Sequence, residues 1–137
     1  WHQDLMADLL VTVAEEARDL IPETALEQLL AEHPGAYYTT AEADEGPVAV
    51  VFKRLTADQF KRAQAMAEDK ARKGKMAQTI WRDVVLYPTG DEQKALLNDC
   101  PAIDDQVAAL VLEIARGKAP EEAKKLRTSP RKPPATR

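Results

Sequence analysis

Between Ala36 and Leu55 the hydrophobic pattern of this chain changes period, and that change limits the fold more than any other feature. On either side of it, apolar residues recur every three or four positions, the spacing of a helix face. Within it, Ala36-Tyr-Tyr-Thr-Thr-Ala-Glu42 and Val48-Ala-Val-Val-Phe-Lys-Arg-Leu55 are rich in the aromatic and β-branched residues that suit pleated strands. Ala43-Asp-Glu-Gly-Pro47 between them reads as a turn. A single hairpin is therefore expected inside an otherwise helical chain. Val48, Val50 and Phe52 would share one face of its second strand, strongly apolar, and Ala49, Val51 and Lys53 the other, which is mixed. Two strands alone are marginal in water, so the hairpin must be covered by helices or paired with another chain. Its exposed backbone edges then become candidate docking sites.

The flanking segments supply helices in quantity. Leu5, Met6, Leu9, Leu10, Val13, Ala17, Leu20 and Ile21 predict an amphipathic helix over residues 3–21, ended by Pro22. Leu26, Leu29 and Leu30 predict a shorter one up to Pro34-Gly35. After the hairpin, Thr56-Ala-Asp-Gln59 has the form of a capping box, opening a helix that should run to about Lys73 before Gly74 interrupts it. Met76, Ile80, Trp81, Val84 and Val85 mark a further helix, closed by Tyr87-Pro-Thr-Gly90 and placed at the centre of the core. Asp91-Glu92 open another, where acids complement the helix dipole, and Ile103, Val107, Leu110, Val111 and Ile114 trace a last one ending at Gly117. The fold class expected is mainly α with a small β-hairpin, an α+β domain. It divides into a helical N-terminal segment over residues 1–35, a hairpin plus helical core over 36–117, and a basic, proline-rich, flexible tail over 118–137.

Charge follows the same division. Seven cations against two acids leave residues 118–137 basic by five, so the formal net charge of −4 hides a body carrying −9. Such a body repels nucleic acid, and no apolar run approaches the roughly 20 residues that cross a bilayer. Neither nucleic acid nor membrane is the expected partner. The single cysteine, Cys100, excludes an internal disulfide.

Catalytic templates find no parts here. His2 and His33 are far apart with no second metal ligand near either, and five glycines form no phosphate-binding loop. Cys100 precedes Pro101 without a histidine near it in sequence, which suits a structural thiol. The acid pairs Glu15-Glu16, Asp44-Glu45, Asp91-Glu92, Asp104-Asp105 and Glu121-Glu122 fall on helix surfaces, helix starts or a turn, where solvated charge explains them. Trp81 shares the stripe of Ile80 and Val84 and is expected in the core. No enzyme, no cofactor and no metal are expected.

The order of the parts carries a resemblance. Val51-Phe-Lys-Arg-Leu-Thr56 leads into a helix beginning Ala57-Asp-Gln-Phe60; Trp81-Arg-Asp-Val-Val-Leu-Tyr-Pro88, Leu96-Leu97 and Cys100-Pro-Ala-Ile103 follow, and a last helix ends Ile114-Ala-Arg-Gly117. Over residues 48–117 this resembles the small tail assembly chaperones of long-tailed bacteriophages. The resemblance implies a non-catalytic protein of the host cell cytoplasm that keeps the tape-measure protein soluble and promotes tail-tube assembly. It also implies that the tape-measure and tail-tube proteins are the partners. The helical stretch over residues 1–33 departs from the simplest members.

In that setting, apolar stripes or hairpin edges would cover aggregation-prone segments of a partner, or of a second copy in a homo-oligomer. The expected contact residues are Leu5, Leu9 and Val13 on the N-terminal helix and Val51 and Phe52 on the hairpin. Two other readings compete. One is a structural subunit of a phage particle or similar assembly, and the other a small nucleic-acid-binding regulator acting through the basic tail.

Overall fold

The computed structural model describes residues 12–118 and 120–128. Its centre is an antiparallel sheet of four strands clad by helices on both faces. In chain order the elements are β1 (Thr12–Val13), α1 (Glu15–Leu20), α2 (Glu23–Glu32), β2 (Tyr37–Ala43) and β3 (Gly46–Phe52), then α3 (Ala57–Glu68), a 3₁₀ turn (Lys73–Lys75), α4 (Met76–Val84), β4 (Val85–Tyr87), α5 (Gly90–Asp99) and α6 (Ile103–Ala115), with β5 (Lys124–Lys125) and β6 (Arg127–Thr128) last. The main sheet runs β4-β3-β2-β5, and β1 and β6 form a separate two-stranded ribbon. The α+β class read from the sequence is the observed class.

β2 and β3 form the expected hairpin, from Tyr37 opposite Phe52 to Ala43 opposite Gly46. Asp44-Glu45 makes the turn, and Gly46 follows with φ +126, a backbone value that a side chain would strain. Strand alternation then sends residues to two cores. Tyr37, Ala41, Val50 and Phe52 face a larger core completed by Ala63 of α3, Ile80, Trp81 and Val84 of α4, Leu96 of α5 and the α6 stripe. Tyr38, Ala49 and Val51 face a second core completed by Ala17, Ile21, Leu26, Leu29 and Leu126. A sheet buried on both faces can spend apolar residues on both, which is why β3 reads as a nearly continuous apolar run.

Local chemistry sets the helix ends. Ile21 stops α1 in an extended conformation (φ −117, ψ 131), the one a residue before proline prefers. The Thr56 side chain accepts the Gln59 amide at 3.1 Å and the Gln59 side chain accepts the Thr56 amide at 2.9 Å, a complete capping box at α3. α3 ends at Glu68, short of the expected Lys73, because the Asp69 carboxylate takes the Ala71 amide (2.9 Å) and the Arg72 guanidinium (3.0 Å) and folds the chain into a turn. Those same bonds hold the Asp69 carboxyl below its usual range, the Ala71 amide first.

Three expectations are corrected. The helix expected over residues 3–21 is outside the described residues up to position 11; beyond it, Thr12–Val13 is a strand and helix begins only at Glu15. Consecutive β-branched residues favour that strand, and pairing with β6 satisfies it. The helix of Met76 ends at Val84, and Val85–Tyr87 becomes a third strand on β3, with Val51 opposite Tyr87 and Phe52 opposite Val85. The tail boundary at residue 118 also moves: Lys124–Lys125 pair with Tyr37–Tyr38, and Leu126 is fully buried. One leucine in a basic stretch anchors it, because its side chain joins Ala36 and Tyr38 in the second core and its amide donates to the Ala36 carbonyl at 2.9 Å.

Candidate partner-binding site

Of the residues expected to contact a partner, those that the structure describes do not come together on a surface. Val51 and Phe52 are 0% exposed and point to opposite faces of β3, into the two cores. They are corrected from contact residues to core residues: alternation combined with a sheet covered on both sides leaves neither at the surface. Val13 is half-buried beside the second core. Leu5 and Leu9 lie outside the described residues.

The hairpin edges are also largely closed. β4 covers the outer side of β3, although Leu86 falls between the paired residues where the register shifts. Pro47 lacks an amide hydrogen, which suits Glu42–Pro47 as a non-hydrogen-bonded pair and turns the backbone groups of Tyr38, Thr40 and Glu42 outward. Tyr38 pairs there with Lys124 of β5, and the Glu42 carbonyl accepts the Cys100 thiol at 3.2 Å. Thr40 is left between two covered positions, so a long added strand has no continuous template.

What the fold opens instead is a groove at the hairpin tip. Ala43, Val48, Pro88, Ala95 and Leu96 give it an apolar floor, and its volume is about 510 Å³. Asp44, Glu45, Glu92 and Asp99 line its rim, and among the described residues no lysine or arginine joins them. Each position has a local cause. The tight turn holds Asp44 and Glu45 out at the tip, and the Asp44 amide donates to Asp99 Oδ2 at 3.4 Å, joining the tip to the end of α5. Glu92 sits in the first turn of α5, where the helix dipole favours an acid. Gln93 Nε2 donates to the Pro88 carbonyl at 2.9 Å and fixes the entry to α5, while the Tyr87–Pro88 bond is cis. Behind the rim, burial first and the charge of Glu92 second push the Tyr87 phenol above its ordinary 10.0. Four carboxylates around an apolar floor favour a cationic group carried on an apolar segment.

Compared with known proteins, the chain matches no family model, no curated protein and no solved structure. Among the described residues, no three His, Cys, Asp or Glu side chains are placed to hold a metal ion, and no helix is long and apolar enough to cross a membrane. Trp81 is in the core as expected, with its Nε1 buried and without a hydrogen-bond partner.

The groove was missed in the sequence for a plain reason. Asp44-Glu45 at a turn and Glu92 at a helix start are each ordinary, and 46 residues separate Glu45 from Glu92. Only the pairing that folds α5 back against the hairpin tip makes them one rim.

Proposed function

We propose that this protein is a non-catalytic binding factor of the tail assembly chaperone type, which holds a cationic, apolar segment of a partner protein in the groove between the hairpin tip and α5. The partners in this reading are a tape-measure protein, kept soluble, and the tail-tube subunits that polymerise around it, in the host cell cytoplasm. The observation that supports it best is the groove itself, with a carboxylate rim, an apolar floor and, among the described residues, no cation. A volume of about 510 Å³ accommodates a few side chains of an amphipathic segment rather than a whole domain. The resemblance over residues 48–117 supplies the partner class, and six of the nine residues that line the groove fall inside that stretch.

The test is co-expression with the proteins encoded beside it, comparing the wild-type chain with a Glu45→Lys/Glu92→Lys variant. Both residues are exposed, so the variant should fold. A long helical neighbour is expected to be soluble with the wild type and to precipitate with the variant. Capture of that neighbour should also weaken in 0.5 M salt. If the variant keeps the neighbour soluble as well as the wild type does, the groove is not the binding site.

A further inference from the structure

A second opening lies at the far end of β2 from the hairpin tip, and its charge is opposite. Tyr37, Ile114, Pro120 and Ala123 form its walls, Gly117 its rim, and Arg54, Lys118 and Lys125 surround it, with a volume of about 340 Å³. Among the described residues no acid lines it, in a chain whose body is strongly acidic. The three cations come from three places in the fold. Arg54 leaves the end of β3, Lys118 follows the Gly117 stop of α6 (φ +85), and Lys125 lies in β5 opposite Tyr37. Lys124 is spent on Glu16 at 3.7 Å, and strand alternation turns Lys125 to the opposite face. Among the described residues, none of the three pocket cations has an ion-pair partner.

Arg54 is held in place before any ligand arrives. Its Nη2 and Nε donate to the Tyr37 hydroxyl oxygen at 2.8 and 3.3 Å, and its guanidinium lies 5.7 Å from the Tyr37 ring centroid. A guanidinium fixed in this way loses less side-chain entropy on binding than a free one. Phe52 stacks with the Tyr37 ring at 6.0 Å between centroids. Tyr37 is buried and Phe52 stacks on its ring, so the ring offers little face to a base or other planar ligand. The apolar walls left over are aliphatic. The C-terminal dipole of α6 places about half a negative charge near Gly117, which one cation offsets, leaving the pocket positive.

We infer that this pocket binds a carboxylate on a short aliphatic stem, as a glutamate side chain of an acidic peptide presents it. The carboxylate sits among Arg54, Lys118 and Lys125, and the stem lies against Ile114, Pro120 and Ala123. The site is separate from the groove, and nothing in it depends on the groove's occupant.

The test uses the full chain, ¹⁵N-labelled, titrated with a capped Leu-Glu-Leu peptide, a capped Leu-Gln-Leu peptide, glutarate and inorganic phosphate at equal ionic strength. The Glu peptide is expected to shift the amides of Tyr37, Gly117, Ala123 and Lys125 saturably, with the Gln peptide at least about tenfold weaker. Lys118→Gln/Lys125→Gln should weaken the Glu peptide by about tenfold or more and leave the remaining spectrum unchanged, since both lysines are exposed. Phosphate binding at these amides as tightly as the Glu peptide, or an unchanged affinity in the double variant, overturns the inference. Glutarate binding as tight as the peptide overturns the peptide source and assigns a free acid in its place.

Discussion

Leu126 separates two accounts of the C-terminal segment by a margin that any denaturation experiment resolves. In a solvated basic tail, Leu126→Ala changes nothing measurable. In the observed fold, Leu126 is 0% exposed and packs in the second core with Ala36, Tyr38 and Val51, while its amide donates to the Ala36 carbonyl at 2.9 Å. The substitution leaves the backbone bond intact and removes only the buried side-chain atoms. The loss then combines the transfer free energy of those atoms with the cavity they leave, together about 3 kcal/mol for a fully buried leucine. That is a factor of roughly 150 in the unfolding constant, and for a domain of this size a fall in Tm of about 12 °C. The assay is urea unfolding followed by circular dichroism, with Lys125→Ala as the exposed neighbour control. A midpoint shift for Leu126→Ala no larger than that of the control refutes the burial of this segment, and with it the placement of Lys118 and Lys125 around the cationic pocket.

Val51→Asp and Phe52→Asp each place a charge in a closed core and should prevent folding, seen as lost soluble yield and lost near-ultraviolet dichroism; folded variants that merely fail to bind a partner would return these residues to the surface. Trp81→Phe removes an indole nitrogen that is buried without a partner, so it should cost less than about 1.5 kcal/mol, whereas Trp81→Ala should cost about 3 to 5 by urea unfolding. The Tyr38 phenol is pushed above its ordinary 10.0 by burial, then by the charge and hydrogen bonding of Glu16, and the Tyr87 phenol by burial and Glu92. Because the folded state disfavours both phenolates, their contribution to stability is complete below pH 10 and is lost as pH rises through the higher folded values. Absorbance at 295 nm should therefore show Tyr38 and Tyr87 titrating above their ordinary value, and Glu92→Gln should bring Tyr87 earlier.

The sequence was most legible where a single segment carries its own signal. The period change over 36–55 predicts the hairpin, and Thr56 with Gln59 predicts the start of α3 to the residue. It was least legible where short segments are stabilised by partners distant in the chain. Val85–Tyr87 continues the helical stripe of Ile80 and Val84 in pattern, and only the neighbouring strand β3 makes it extended. Lys124–Lys125 has no strand propensity worth the name, yet it pairs with β2 because Leu126 beside it has a core to enter. Asp69 ends α3 through bonds to residues two and three ahead, a competition that apolar spacing does not register.

Function is harder to read for the same reason. The apolar residues that stood out as contacts, Val51 and Phe52, stood out because they are the most hydrophobic, and in a sheet covered on both faces that property puts them in the cores. The surface features come from residues that are individually unremarkable: acids at a turn and a helix start, a lysine after a helix stop, a lysine in a two-residue strand. β2 carries both. Ala43 at one end lies in the acidic groove and Tyr37 at the other in the cationic pocket. Seven residues at about 3.3 Å each hold the two sites roughly 20 Å apart on one rigid strand. At that distance, twice the screening length at 0.1 M salt, the charges of one site do little to the other. A binding partner could therefore engage either end without weakening the second, and charge reversal at the hairpin tip should leave glutamate-peptide binding at Tyr37 unchanged.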